Sequence, residues 1–438
     1  MSSDDALVLT RLGAREAQRR IRDGKITAAA LLEACLDRIR ALDGQLRAWT
    51  HVDDASARAA ARERDAETRA GRPRGALHGV PVGIKDIFDV AGMPTTGGAR
   101  PWAHRRATED ATAVARLRAA GAVIVGKTAT TEFAYRDPAP TRNPWNLGHT
   151  PGGSSAGSGA AVAARMIPLA NGSQTVGSVL RPAAYNGVVG LKPTHDLIPV
   201  DGVIPLAWSF DHVGVLARSV DDAALMLGVL AGGEYDAAAG RPPRIAVAPE
   251  LIARAEPEVA GHLRAVADAF RAAGATLVEV TLPPSFGALH AAGLTVLEAE
   301  AAAYHQEEFR KHAAEFGKEM RAGVEAGLAA TAVGYINANR ARLRFRADVT
   351  PILAAHDALL SPTAPTPAPA GLGSTGDGSL CAPWSYTGMP SISLPSGLAA
   401  SGLPFAVQLT TGAGHEQFLL RVAAWCEGVL RFSAAPTL

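Results

Sequence analysis

Three residues in the first half of the chain have the chemistry for nucleophilic catalysis. Lys85 closes the stretch Val80-Pro81-Val82-Gly83-Ile84-Lys85-Asp86, an apolar strand punctuated by glycine, and two serines of the Gly- and Ser-rich stretch that follows complete the set. A serine hydroxyl is a weak nucleophile and needs a base; where no histidine is placed to serve, a neutral lysine can. Free lysine titrates near ~10.4, and bringing it to ~8 costs about 3 kcal/mol, which desolvation beside Val82 and Ile84 can supply. The competing reading of this segment by itself is a surface lysine paired with Asp86.

Three other patterns invite chemistry and fail on physical grounds. Gly121-Ala-Val-Ile-Val-Gly126-Lys127-Thr128 satisfies the phosphate-loop expression, but Ala-Val-Ile-Val is a β-branched run whose amides belong to a sheet. Gly153-Ser-Ser155-Ala-Gly157 fits a nucleophile elbow, which needs a strand before it, and Asn146 to Pro151 read as loop. A Ser-His-Asp esterase built on Ser155, with His195, His212, His262 or His290 as partner, is therefore the minor reading. Arg340, Arg342, Arg344 and Arg346 fan around a helix instead of forming one stripe, so they argue for a solvated face and against nucleic acid.

The elements that must position these residues read as alternating helix and strand. Thr27 caps a helix through Ile39, Asp53 to Gly71 is a charged helix, and Ala111 to Ala120 is an amphipathic helix stopped by Gly121 before the strand Ala122–Val125. A second α/β unit spans the strand from Ile245, a helix with Val259, Leu263, Val266 and Phe270, and the strand Leu277–Val280. Residues 288–347 read as helix, and Ala364 to Gly378 as loop. The Gly/Ser stretch 151–190 ends in the apolar Val188-Val189-Gly190-Leu191, which argues against a linker. With 438 residues, 47% hydrophobic and 19% charged, the chain can fill a large core, and a net charge of +1 gives no field to recruit nucleic acid or an anionic membrane. Its three cysteines, Cys35, Cys381 and Cys426, lack the spacing of a disulfide framework or a zinc site, so a reducing, cytoplasmic compartment is expected. Asp4 and Asp5 stand where a secretory signal would carry cations, and no apolar run reaches the ~18 residues of a membrane span.

Taken together, Val80–Asp86, Gly121–Thr128 with Glu132-Phe133-Ala134, Pro151–Ser155, Gly172–Ser178, Gly187–Thr194, Gly388–Pro395 and Gly402-Leu403-Pro404 resemble the amidase signature family, over nearly the whole chain. The resemblance implies one α/β domain over 1–438, an α/β/α sandwich around a large mixed sheet. Its expected parts are N-terminal helices in 1–75, a catalytic core in 77–230 and a variable substrate-binding region in 288–380. It implies an amidase acting on carbon–nitrogen bonds of small amides, with esters and carbamates open to the same acyl-enzyme. It implies a Ser, cis-Ser, Lys triad: Ser178 as nucleophile, Ser154 as the bridging serine after a cis peptide, and Lys85 as base. The oxyanion would be held by the amides of Thr175, Val176, Gly177 and Ser178, each such donor being worth roughly 10² to 10³ in rate. No cofactor, metal or nucleic acid is implied, and a homodimer is compatible with the pattern. The alternative within the same family is a component of an amidotransferase that acts only with its partner.

Two departures from the usual family pattern stand out. Gln174 replaces an Asp, and the Arg two residues after the nucleophile is replaced by Leu180, with Arg181 next; the paired change resembles a Gln-bearing branch of the family. Val176 stands where Gly is usual, and a β-branched residue would distort the loop if a positive φ were required there. Tyr135, Gly153, Trp208 and Trp384 are the expected substrate contacts, and their aromatic content suggests an apolar or aromatic acyl group.

Overall fold

The computed structural model describes residues 3–438; Met1 and Ser2 of the N-terminal segment lie outside the described residues. Among the described residues, eleven strands form one mixed sheet. In chain order they are β1 (Trp49–Val52), β2 (Pro81–Lys85), β3 (Val123–Thr128), β4 (Leu169–Gln174), β5 (Val189–Lys192), β6 (His212–Ala217), β7 (Arg244–Val247), β8 (Thr276–Glu279), β9 (Ala358–Pro362), β10 (Ser391–Leu398) and β11 (Pro404–Thr410). Across the sheet they run β1-β3-β2-β4-β6-β5-β10-β11-β9-β7-β8. β2 pairs in parallel with both β3 and β4, and β7 with both β8 and β9, while the middle of the sheet is antiparallel.

The strands that matter for the site are buried along their whole length, their polar residues Lys85, Lys127, Asn171, Ser173 and Gln174 included. Val123 to Thr128 are strand and not phosphate loop: Gly121 takes φ +89° as the preceding helix stops, and β3 follows after Ala122. The helix Ala28–Leu46 starts at Thr27, whose hydroxyl accepts the Ala30 amide at 3.0 Å, and Asp53 caps the helix Asp54–Arg69 in the same way. The expected helical region becomes three helices, Phe286–His312, Lys318–Ala329 and Ala332–Ala354, followed by the glycine-rich loop before the helix Ala382–Tyr386. No helix of the described residues is long and apolar enough to cross a membrane.

Candidate active site

In open α/β sheets the carboxyl ends of parallel strands leave a crevice, and β2 and β4 both end there. Lys85 is the last residue of β2, fully buried, and its amide donates to the Asn171 side chain on β4 at 2.7 Å. Its Nζ lies 2.6 Å from Ser154 Oγ, 2.7 Å from Ser173 Oγ and 3.4 Å from Ser173 O. Burial drives the Lys85 pKa well below the ordinary lysine value, opposed by the carboxylate of Asp211. The Nζ thus donates to two serine hydroxyls and one carbonyl, and meets no carboxylate among the described residues. Asp86 does not pair with Lys85; it accepts from Lys127 Nζ at 2.8 Å.

Ser154 follows the Gly153–Ser154 peptide, which is cis. The helix Ala156–Ala163 starts immediately after Ser155 and packs so closely that a Cβ on Gly157 would stand 2.1 Å from Ala48 O. Ser155 Oγ lies 3.3 Å from both the carbonyl and the amide of Ser173, and no histidine contacts it among the described residues. The Ser155 amide donates to Ser178 O at 3.2 Å, which seats the two serine segments against each other.

Ser178 sits on the short loop between β4 and the helix Leu180–Asn186. Gln174, the last residue of β4, holds that loop: its Oε1 accepts the amides of Val179 and Leu180, each at 2.9 Å, and its Nε2 donates to Ser385 Oγ at 2.9 Å. Ser385 in turn donates to Val176 O at 2.8 Å. A side-chain oxygen accepting the first helical amides needs no charge, so a neutral Gln suffices for it. Val176 is not among the residues with positive φ, so the distortion expected of a β-branched side chain does not arise. Among the described residues, the amides of Thr175, Val176, Gly177 and Ser178 make no turn, loop or cap hydrogen bond. They are four donors at the head of a helix, beside a cavity of about 430 Å³ that Thr175, Val176 and Ser178 line.

The cavity corrects the expected contacts. Tyr135 lines it, and Gly153 stands just behind, its carbonyl accepting from Arg181 Nη2 at 2.7 Å. Trp208 is 46% exposed and outside the lining. Trp384 is fully buried behind it, packed on Phe345 at 6.5 Å between ring centroids. Tyr386, two residues further along the same helix, faces the cavity in its place. The lining is also more polar than the aromatic count suggests: Arg136, Arg181, Glu319 and Asp377 all belong to it. Arg181 Nη1 and Nη2 also hold the glycine-rich loop at Gly376 O and Thr375 Oγ1. One wall is the helix Lys318–Ala329, docked by carboxylates on its first amides: Glu132 accepts from Gly317 at 2.9 Å, and Asp137 from Glu319 and Met320 at 3.1 and 2.7 Å.

Asp211 belongs to none of the sequence motifs. It stands immediately before β6, and because Gln174 pairs with His212 in the β4–β6 ladder, it comes beside Thr175. Its carboxylate accepts from Thr175 Oγ1 at 2.6 Å and from the amides of Leu206 and Ala207 at 2.8 and 3.0 Å. Burial pushes its pKa up to about 6, against the pull of those three donors. Ser173 lies within a motif, but residue type alone assigns it no role.

Residues 30–420 match the amidase family over most of the chain. This chain belongs to that family. It is 36% identical to an amidotransferase component from Anaeromyxobacter sp. (strain K), one named for glutamyl-tRNA(Gln), covering 99% of each chain. It is 37% identical to an amidase from Pseudomonas putida, covering 90% of this chain and 91% of that one. A crystal structure of an amidase superposes with a TM-score of 0.90 at 33% identity, covering 96% of this chain and all of the other. The chain is thus an amidase-family hydrolase of carbon–nitrogen bonds on an α/β fold.

Proposed function

We propose that this chain hydrolyses a small linear amide through an acyl-enzyme on Ser178. The observation that carries the reading is the buried contact of Lys85 Nζ with Ser154 Oγ at 2.6 Å, beside a loop of free amides. Neutral Lys85 takes the proton of Ser154 as Ser154 takes that of Ser178, and Ser178 Oγ bonds to the acyl carbon. The oxygen that gains charge is met by the amides of Thr175 to Ser178. Collapse breaks the carbon–nitrogen bond, and the proton returns through Ser154 to the leaving amine. Water then repeats the sequence on the ester and releases the acid. Esters and carbamates pass through the same intermediate. The catalytic segment 77–230 supplies the chemistry in this reading, and the helices between 286 and 354 supply the acyl wall.

The test is labelling by a serine-reactive fluorophosphonate, with the adduct located by peptide mapping. An adduct on Ser178 that is lost in Lys85→Ala supports the reading; an adduct on Ser155, or none, overturns it. A second reading is favoured by the 36% identity over 99% of the chain to an amidotransferase component: an amidase-like protein that releases ammonia from glutamine only with its partner. Turnover of simple amides by the purified chain would exclude it.

A further inference from the structure

On a different part of the molecule from the Lys85 site, three arginines face one cavity of about 210 Å³. Arg11 comes from the N-terminal helix, Arg165 from the turn after the helix Ala156–Ala163, and Arg218 from just past the end of β6. At about 30 Å³ per water, the space takes a tetrahedral oxyanion and a few waters. Arg218 is already engaged, donating to the carbonyls of Ile167, Thr10 and Leu12. Arg11 and Arg165 have no hydrogen bond or ion pair from their guanidinium groups to any of the described residues. Arg165 holds φ +58°, a left-handed backbone that an L side chain rarely adopts. The one carboxyl in the lining, Glu427, accepts the Val220 amide at 2.9 Å.

The electrostatics point the same way. Burial lowers the pKa of Arg165, and Arg11 lowers it further; Arg38, whose Nε donates to Ala164 O, is lowered by burial and then by Arg165 and Arg11. Burial pushes Glu427 up to about 7, so near neutral pH it does not fully offset the cations. Asp222 offsets part of the charge of Arg218, and the like charges of Arg11, Arg38 and Arg165 cost stability that a bound anion would return.

We propose that this cavity is a binding site for a small, multiply charged oxyanion of phosphate size, held by Arg11 and Arg165 and backed by Arg218. The outer wall is the C-terminal segment, with Phe432 and Ser433 to Pro436 in the lining, so a bound anion holds that segment down. The site is independent of the catalytic reading.

Inorganic phosphate is the probe, titrated by calorimetry and by thermal unfolding at ionic strength matched with chloride. Phosphate should raise the unfolding temperature beyond chloride and slow hydrogen exchange in residues 432–436. Arg165→Gly is the decisive variant. Glycine takes a positive φ without strain, so this variant should fold at least as well as the parent while binding phosphate about tenfold more weakly or worse. Arg11→Ala should weaken binding comparably, whereas Arg136→Ala, in the catalytic cavity, should leave this binding unchanged. Phosphate affinity unaltered by Arg165→Gly and Arg11→Ala overturns the assignment, as does stabilisation that chloride reproduces.

Discussion

Gln174→Ala isolates the device that holds Ser178. In the parent, one side-chain oxygen serves the amides of Val179 and Leu180, both buried, and the nitrogen serves Ser385. Truncation leaves two main-chain donors without an acceptor, and an orphaned buried donor costs about 1–3 kcal/mol. Loss of a side-chain cap at a helix N-terminus typically costs ~1 kcal/mol, and the helix Leu180–Asn186 is only seven residues long, too short to hold itself. The expected loss is therefore about 3 kcal/mol, read as a lower urea midpoint with an unchanged slope. Acylation should fall further than stability requires, because the amides of Thr175 to Ser178 are aimed by the same loop; a drop of roughly 10² is expected from one misaligned donor. Gln174→Glu separates the two effects. It keeps an oxygen for both amides, favoured by the helix dipole, but it draws the Ser385 hydroxyl away from Val176 O, so stability should largely survive while single-turnover acylation slows. A stability change in Gln174→Ala under about 0.5 kcal/mol, the range of neutral surface changes, would refute the reasoning.

Three further outcomes follow from the geometry. Lys85→Met should abolish acylation yet stabilise the fold near neutral pH: below its depressed folded pKa both states hold the proton, above ~10.4 neither does, and between them only the unfolded chain does, so parent stability climbs with pH across that window and the variant loses the slope. Urea melts at two pH values, with the acid limb of the parent pH–rate profile, check this. Asp211→Asn removes the charge that opposes Lys85 deprotonation and weakens the bond from Thr175; kcat should fall about 10- to 100-fold for one charge-assisted hydrogen bond, KM should hold, and the acid limb should move to lower pH. Gly317→Ala places a Cβ 2.4 Å from Asp137 Cγ and 2.5 Å from Glu132 Oε2, so the helix Lys318–Ala329 should undock, with a stability loss of about 1–3 kcal/mol and a rise in KM exceeding any fall in kcat.

Much of the site was legible because its residues lie in compact glycine-punctuated blocks. The expected strand ends at Lys85, and the Gly172–Ser178 block leaves its strand at Gln174 to turn toward Ser178. What escaped was set by register and direction. Asp211 acquires its role only when β4 and β6 pair, from partners 36 residues apart. Trp384 and Tyr386 share one helical turn, and only the turn's orientation decides which ring faces the cavity. The concern over Val176 depended on a φ value, which residue type alone does not fix.

The same register explains why two buried lysines on adjacent strands do different work. In the β2–β3 ladder Lys127 aligns with Ile84, and Lys85 with Thr128. Side chains alternate between faces along a strand, so the two lysine side chains leave the sheet on opposite sides. Lys127 meets Asp86 at 2.8 Å, with Pro94 O and Thr95 Oγ1 completing its three donors, an arrangement suited to a cation. Lys85 meets two serine hydroxyls and a carbonyl and no carboxylate within contact, so burial is opposed only by the more distant Asp211. A one-residue slip of β3 would exchange these surroundings. The carboxylate that opposes the burial of Lys127 sits on Asp86, next in sequence to Lys85, and the pleat turns it away from Lys85.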